Sequence, residues 1–213
     1  VVGHISARDV DIPSGRAVYT QWLNARGGIE ADLTVTRIDD DQFLIVTGAA
    51  SQARDYYWLR EHIPDDARAV ATDVTSGYAV IALMGPRSRT LLGELTSEDL
   101  SPTSFPFGAS REIDLGYARV RATRMSYVGE LGWELYIPSE FAIGVYDVIA
   151  AAGESNGLVM AGYHALNSLR IEKAFRHWGH DISDEDTPLE AGLGFAVDFG
   201  KPGGFLGEAA LLR

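Results

Sequence analysis

The chain has 213 residues, of which 46% are hydrophobic and 23% are charged, a composition typical of a globular protein with a sizeable core. The formal net charge of −12 and the lack of a basic stripe exclude a nucleic-acid partner and an anionic-membrane partner. The sequence has no cysteine, which excludes disulfides, thiolate metal sites and cysteine nucleophiles.

No apolar run is long enough to span a membrane, and the N-terminus lacks the pattern of a secretion signal. We therefore expect a cytoplasmic location, or the mitochondrial matrix if the source is eukaryotic. The sequence begins at Val1 without Met and ends at Arg213 on what resembles the start of a helix. Both ends are expected to be cut from something longer.

The first half of the chain predicts short strands that alternate with helices, with turns rich in Gly, Pro and Asp. The predicted strands are 17–24, 29–38, 43–47, 70–74 and 78–83, the last two forming a hairpin. The predicted helices are 51–62 and a helix that opens at Gly85-Pro86 and runs to about Leu95.

The second half begins with a loop-rich link over 96–116, which contains prolines. The predicted strands that follow are 117–127 and 133–137, and the predicted helices are 139–152 and 163–175. The whole pattern indicates an α+β fold in which antiparallel sheets are covered by helices.

The segment 126–138 combines aromatic groups, two carboxylates and two glycines that permit a tight turn. Side chains alternate across a strand, so Glu134 is expected to point away from the apolar Trp133 and Leu135. A carboxylate beside an aromatic face can accept two hydrogen bonds from an amidine-like edge, which is the edge a pterin presents. The same pattern is also typical of a plain hairpin with a solvated outer face.

Asp32 is unusual because aspartate is disfavoured inside a β-rich strand. It either faces solvent or points into a cavity, where apolar walls would raise its affinity for a proton and let it orient or deprotonate an amine. Tyr19, on the preceding strand, either faces the same site across the hairpin or is a simple cross-strand aromatic. The sequence leaves both alternatives open.

Arg170 lies beside the apolar face of the predicted helix 163–175 and could reach a ligand carboxylate. The alternative is an ion pair on the helix surface with Glu172. His177 and His180 would need a third ligand on a rigid element to bind zinc, and the segment indicates a turn. No metal site is expected.

No Gly-x-Gly-x-x-Gly follows a strand, and no Gly-x-Ser-x-Gly occurs. We therefore do not expect this chain itself to bind a flavin or a nicotinamide.

Several segments, in order along nearly the whole chain, resemble the aminomethyltransferase (glycine cleavage T-protein) family. These segments are Tyr19-Thr20-Gln21, Gly27-Gly28-Ile29 with Asp32, 127–134, Leu169-Arg170-Ile171-Glu172, and 187–194 leading to Phe205-Leu206-Gly207. The stretches 29–35 and 172–181 are most similar to the folate-binding region of dimethylglycine and sarcosine dehydrogenases. A T-protein more often shows two adjacent acids where Ala31-Asp32 stands.

The resemblance implies one aminomethyltransferase-like folate-binding domain over 1–213, built from two interleaved α+β lobes. It implies a reduced pterin in a cleft, with Asp32 as the catalytic carboxylate near folate N5 and N10 and Glu134 on the pterin amino-pyrimidine edge. Tyr19, Tyr127 and Arg170 would complete the tetrahydrofolate site. The implied reaction captures a one-carbon unit from dimethylglycine or sarcosine as 5,10-methylenetetrahydrofolate.

The family's N-terminal segment and C-terminal barrel are expected to lie outside this sequence. Any FAD would belong to a separate flavin domain, a possible neighbour in a longer chain. Two alternatives stay open: a glycine cleavage T-protein, which takes its unit from a lipoyl arm, and a non-catalytic folate-binding or structural domain of a larger flavin dehydrogenase.

Overall fold

The computed structural model describes residues 1–213, which divide into two compact units. Unit 1 consists of residues 1–73 and 176–213, and unit 2 consists of residues 74–175. Unit 1 contains a three-stranded sheet and unit 2 a four-stranded sheet, and every strand pair is antiparallel. The predicted α+β class, with antiparallel sheets covered by helices, is confirmed. None of the helices is long and apolar enough to cross a bilayer.

The sheet of unit 1 has the strand order β1-β2-β3. Its elements are α1 (Val2–Ile5), β1 (Arg16–Leu23), β2 (Ile29–Arg37), β3 (Phe43–Val46), α2 (Gln52–Glu61) and α6 (Glu208–Leu211). The turn between β1 and β2 requires glycine at position 28, because a Cβ there would lie 1.9 Å from the carbonyl oxygen of Asp184. The late segment 176–213 thus packs directly against the first hairpin.

Two apolar clusters stabilise unit 1 by removing large side chains from water. In the first, Trp22 stacks on Trp58 of α2 with 5.2 Å between ring centroids and donates its indole N–H to the hydroxyl of Ser6. The second joins Ile29, at the start of β2, to Leu193 and to other residues of the late segment. Alternation along β2 buries one row of side chains in these clusters and leaves most of the other row half-buried, with Thr36 as the buried exception.

The sheet of unit 2 has the strand order β4-β7-β6-β5, and its core is completed by apolar side chains of α3 and α4. Its elements are β4 (Tyr78–Met84), α3 (Ser88–Gly93), β5 (Ser110–Leu115), β6 (Ala118–Thr123), β7 (Gly132–Pro138), α4 (Ala142–Asn156) and α5 (Tyr163–Glu172). Trp133, Leu135 and Ile137 are fully buried in this core. The predicted alternation therefore places Glu134 on the opposite face of β7.

The predicted hairpin over 70–83 is wrong. Residues 70–74 form no strand, and Val70 is 90% exposed. The strand that does form, β4, pairs with β7. Because β7 follows β4 by nearly fifty residues in sequence, this pairing could not be inferred from local turn signals.

Two further boundaries differ from the prediction. The link over 96–116 contains β5, whose Ile113 is buried in the core of unit 2. The predicted strand over 117–127 ends at Thr123, so Tyr127 lies on the loop between β6 and β7. This loop of eight residues replaces the tight turn expected there.

Candidate functional site

Asp32 lies near the middle of β2, directly opposite Gln21 of β1. Its carboxylate is half-buried and accepts a hydrogen bond from Nε2 of Gln21 at 2.9 Å. The hydroxyl of Tyr19 donates a second hydrogen bond. Burial raises the pKa of Asp32, because a carboxylate is less stable away from water, and the two hydrogen bonds counter this only in part. No cation contributes to its pKa.

Tyr19 therefore reaches the same site as Asp32, as one of the two open alternatives expected. Its ring stacks on Phe195 with centroids 6.0 Å apart and packs against the second apolar cluster of unit 1. This packing fixes the ring while the hydroxyl points at the carboxylate. In the register of the hairpin, Tyr19 lies opposite Thr34.

Gln21 was not among the predicted site residues. Its side chain is fully buried, and its Oε1 is a buried acceptor with no hydrogen-bond partner. A buried polar atom without a partner is uncommon and carries a free-energy cost of about 1–3 kcal/mol. The register of the hairpin was the signal that could have identified it, because the turn over 24–28 sets Gln21 against Asp32.

Glu134 of unit 2 lies on the face of β7 that does not contact the core. Its Oε2 accepts a hydrogen bond from the hydroxyl of Tyr136 at 2.5 Å. Burial raises the pKa of Glu134, and the hydrogen bond from Tyr136 lowers it by less. As at Asp32, no lysine or arginine contributes. A half-buried carboxylate without a neighbouring cation can accept hydrogen bonds from the N–H groups of a ligand.

Tyr127 belongs to an aromatic pair in unit 2. Its ring stacks on Phe175, with centroids 6.3 Å apart and 24° between the planes. The guanidinium of Arg170 donates to the carbonyl oxygen of Phe175 at 2.8 Å, and two of its N–H groups donate to Oδ1 of Asn167. Arg170 is only 3% exposed, so its guanidinium is buried rather than on a solvated helix surface. Arg170 holds the chain segment that carries the ring beneath Tyr127.

The loop that carries Tyr127 is fixed on its other side as well. Gly129 has a φ of 69°, and a Cβ there would lie 2.5 Å from Cγ of Lys173. Lys173 also forms an ion pair with Glu130 at 3.5 Å. The loop between β6 and β7 therefore packs closely against the C-terminal end of α5, and its conformation depends on that end of the helix.

The rings of His177 and His180 lie 4.3 Å apart in unit 1. The backbone N–H of His177 is held by the carboxylate of Asp181. No group of three or more His, Cys, Asp or Glu side chains comes together in a way that could hold a metal ion.

The structure thus brings Asp32, Tyr19 and Gln21 together in unit 1. In unit 2 it places Glu134 beside Tyr136, and Arg170 beside the aromatic pair. Both carboxylates share three properties: partial burial, a raised pKa and a phenol as donor.

Residues 1–201 match the family described as GCVT N-terminal domain. Two curated relatives are similar over almost the whole chain. The 4-methylaminobutanoate oxidase (formaldehyde-forming) of Paenarthrobacter nicotinovorans is 45% identical over 205 residues, covering 96% of this chain and 25% of that protein. The mitochondrial sarcosine dehydrogenase of Homo sapiens is 39% identical over 217 residues, covering 95% of this chain and 24% of that protein.

Among solved structures, the glycine cleavage system aminomethyltransferase T of Bartonella henselae matches with a TM-score of 0.83 and 25% identity. The match covers 99% of this chain and 56% of that chain. The chain spans about a quarter of the length of the two curated relatives. The resemblance expected from the motifs is confirmed, and the chain belongs to the GCVT N-terminal domain family of aminomethyltransferases and related dehydrogenases.

Proposed function

We propose that this chain is a tetrahydrofolate-binding aminomethyltransferase-type domain. It captures a one-carbon unit from an N-methylated amine, dimethylglycine or sarcosine, as 5,10-methylenetetrahydrofolate. The observation that carries the proposal is that Asp32 in unit 1 and Glu134 in unit 2 are each half-buried and held by a tyrosine hydroxyl, with no cation contributing to either pKa. Such groups are costly to keep ionised, and ligand N–H donors would offset that cost.

The chemistry of Glu134 fits a reduced pterin. Oε2 already accepts from Tyr136, whereas Oε1 has lone pairs available for the N–H donors of an amino-pyrimidine edge. A carboxylate that faces two parallel N–H groups forms a strong two-bond contact. Tyr127, stacked on Phe175, provides an aromatic surface for a flat ring, and Arg170 keeps that surface in place.

Asp32 is the group that would hold a proton during the reaction. Its pKa is raised by burial, so the carboxyl can take up a proton closer to neutral pH than an exposed aspartate can. The same carboxylate, before it takes up the proton, stabilises positive charge on a nearby amine. Tetrahydrofolate supplies the two nitrogens, N5 and N10, that receive the one-carbon unit. Tyr19 and Gln21 orient Asp32 for this role.

The names of the relatives support an N-methylated amine as the donor. Sarcosine and 4-methylaminobutanoate, which stand in those names, are both N-methyl amino acids. We propose that a flavin domain, placed elsewhere in a longer chain and carrying any FAD, oxidises the amine. The structural likeness to aminomethyltransferase T favours one other donor, the aminomethyl group that the glycine cleavage system presents.

Isothermal titration of the 213-residue chain with tetrahydrofolate tests the proposal. We expect binding by the native chain, at least tenfold weaker binding by Glu134→Ala, and near-native binding by Asp32→Ala, which should instead lose methylene transfer. Glu154→Ala, an exposed carboxylate on α4, is the matched control and should bind normally. Absence of binding by every form would reject the proposal and favour a structural domain of a larger dehydrogenase.

A further inference from the structure

The side-chain amide of Gln21 donates a hydrogen bond to the carboxylate of Asp32. An ionised carboxylate only accepts hydrogen bonds, so the amide must present its Nε2 to Asp32, as it does at 2.9 Å. This orientation leaves Oε1 buried with no partner. The side chain is fully buried, so water does not replace the missing donor freely.

Protonation of Asp32 changes what the carboxyl needs. When the proton is on Oδ1, the oxygen that Nε2 of Gln21 contacts, that oxygen becomes a donor and needs an acceptor. A half-turn of the amide about its last single bond exchanges the positions of Oε1 and Nε2, which differ little in size. Oε1 would then accept from the carboxyl O–H at a similar separation. An amide carries a donor and an acceptor and can therefore serve both states.

We propose that Gln21 is a positioning residue whose amide pairs with Asp32 in both protonation states, donating from Nε2 to the carboxylate and accepting at Oε1 from the carboxylic acid. Gln21 thereby keeps Asp32 in one place while a proton arrives and leaves. The catalytic meaning of this pairing rests on the proposed function, in which Asp32 exchanges a proton with a ligand amine.

The surroundings of Asp32 leave this role to few groups. Tyr19 is the other side chain that hydrogen-bonds to the carboxylate, and no charged group contributes to its pKa. On β2 itself, Thr34 lies on the same face, and Phe195 covers the ring of Tyr19. The hydroxyl of Tyr19 can donate to the carboxylate and, after rotating about its C–O bond, can accept from the carboxylic acid. Gln21 differs from Tyr19 because it lies directly opposite Asp32 in the hairpin and is fully buried.

The test follows the carboxyl ¹³C signal of Asp32 by NMR in the unliganded 213-residue chain as pH is varied, with the signal identified by its loss in Asp32→Asn. Gln21→Met keeps the length of the side chain but can neither donate strongly nor accept. Both protonation states of Asp32 lose a partner in this variant, but the hydrogen bond lost by the ionised form is the stronger of the two, so we expect the proton affinity of Asp32 to rise several-fold. Gln21→Glu places a second carboxyl beside Asp32 and should raise the proton affinity further.

Thr36→Val is the matched control, since Thr36 is a buried polar residue on the same strand, four positions from Asp32. It should leave the titration unchanged. A titration of Asp32 in Gln21→Met that matches the native one would overturn the inference. If Gln21→Met fails to fold, an unchanged titration in Gln21→Glu overturns it equally. Because no ligand is present, these results stand apart from the calorimetric test with tetrahydrofolate, in which failure would reject the proposed function alone.

Discussion

The hydroxyl of Tyr136 donates a hydrogen bond of 2.5 Å to Oε2 of Glu134, two residues earlier on the same strand. Side chains two positions apart in a strand share a face, so the strand itself supplies this contact. Burial, followed by the neighbouring carboxylate, raises the pKa of Tyr136, which therefore stays protonated and continues to donate. Glu134 is thus held by a permanent neutral donor.

We expect Tyr136→Phe to raise the pKa of Glu134, because the ionised carboxylate loses the hydrogen bond that lowers it. A larger fraction of Glu134 is then protonated and offers fewer acceptor sites to the N–H groups of a ligand, so tetrahydrofolate should bind several-fold more weakly at neutral pH. Carboxyl NMR and calorimetry measure the two effects. Tyr146→Phe, a half-exposed tyrosine on α4, should leave both unchanged. Native affinity in Tyr136→Phe would contradict the assigned role of Glu134.

Glu134→Gln should increase thermal stability near neutral pH. The pKa of Glu134 in the folded protein lies above its ordinary value of 4.5. The folded protein therefore holds the proton on the Glu134 carboxyl more tightly than the unfolded chain does. Stability from this group is therefore complete below pH 4.5 and is lost as pH rises through the folded pKa. Glutamine cannot ionise, yet it keeps an acceptor for Tyr136.

The measurement compares melting temperatures of the native chain and Glu134→Gln at pH 8 and at pH 4.5. We expect a gain of a few degrees at pH 8, since about 1 kcal/mol corresponds to roughly 2–4 °C for a chain of this size, and a smaller gain at pH 4.5. Glu154→Gln changes an exposed carboxylate and should show little difference at either pH. A gain that grows toward acid would show that the sign is wrong.

Gly129→Ala should destabilise the protein by about 1–2 kcal/mol. Its φ of 69° is left-handed, and alanine is strained there whatever space is available. The added methyl would also displace Lys173 from the loop. Gly144→Ala is the opposite case, because Gly144 lies within α4 with nothing within 4 Å of its Cβ position. It should stabilise by about 0.5–1 kcal/mol, and urea unfolding of both variants gives the comparison.

Arg170→Lys should lower the melting temperature by about 5 °C or more. The guanidinium bonds to Asn167 and to the carbonyl oxygen of Phe175 at once, and a lysine ammonium cannot reproduce that planar set. Arg119→Lys, an exposed arginine paired with Glu112, is the control and should change little. A native melting temperature in Arg170→Lys would show that the buried contacts do not hold the loop.

The first hairpin was predictable because its signals are local. Alternating residues with β-branched side chains meet at a turn with two glycines, and β1 and β2 form within one residue of the expected bounds. β5 was missed because its buried residue Ile113 is surrounded by charged side chains and follows a proline-containing loop. The exposed stretch 70–74 was apolar enough to resemble a strand, but no partner strand reaches it.

The orientation of Glu134 was predictable from alternation, whereas the contacts of Arg170 were not. The partner Asn167 lies one helical turn before Arg170 and could be read from spacing. The second partner, the carbonyl of Phe175, depends on Ala174, which adopts a φ of 55° just after the helix. Alanine rarely takes this conformation, so no sequence rule indicates that the chain reverses there.

Unit 1 is formed from both ends of the sequence, which has a consequence for its synthesis. Trp178 donates its indole N–H to the carbonyl oxygen of Ile29, 149 residues earlier in the chain. At about 5–20 residues per second, the ribosome needs roughly 7–30 s to make that interval. Unit 2 is complete before then, so the apolar end of the first hairpin must wait, uncovered, for its late partners, and this nascent stage is where we expect chaperones to engage the chain.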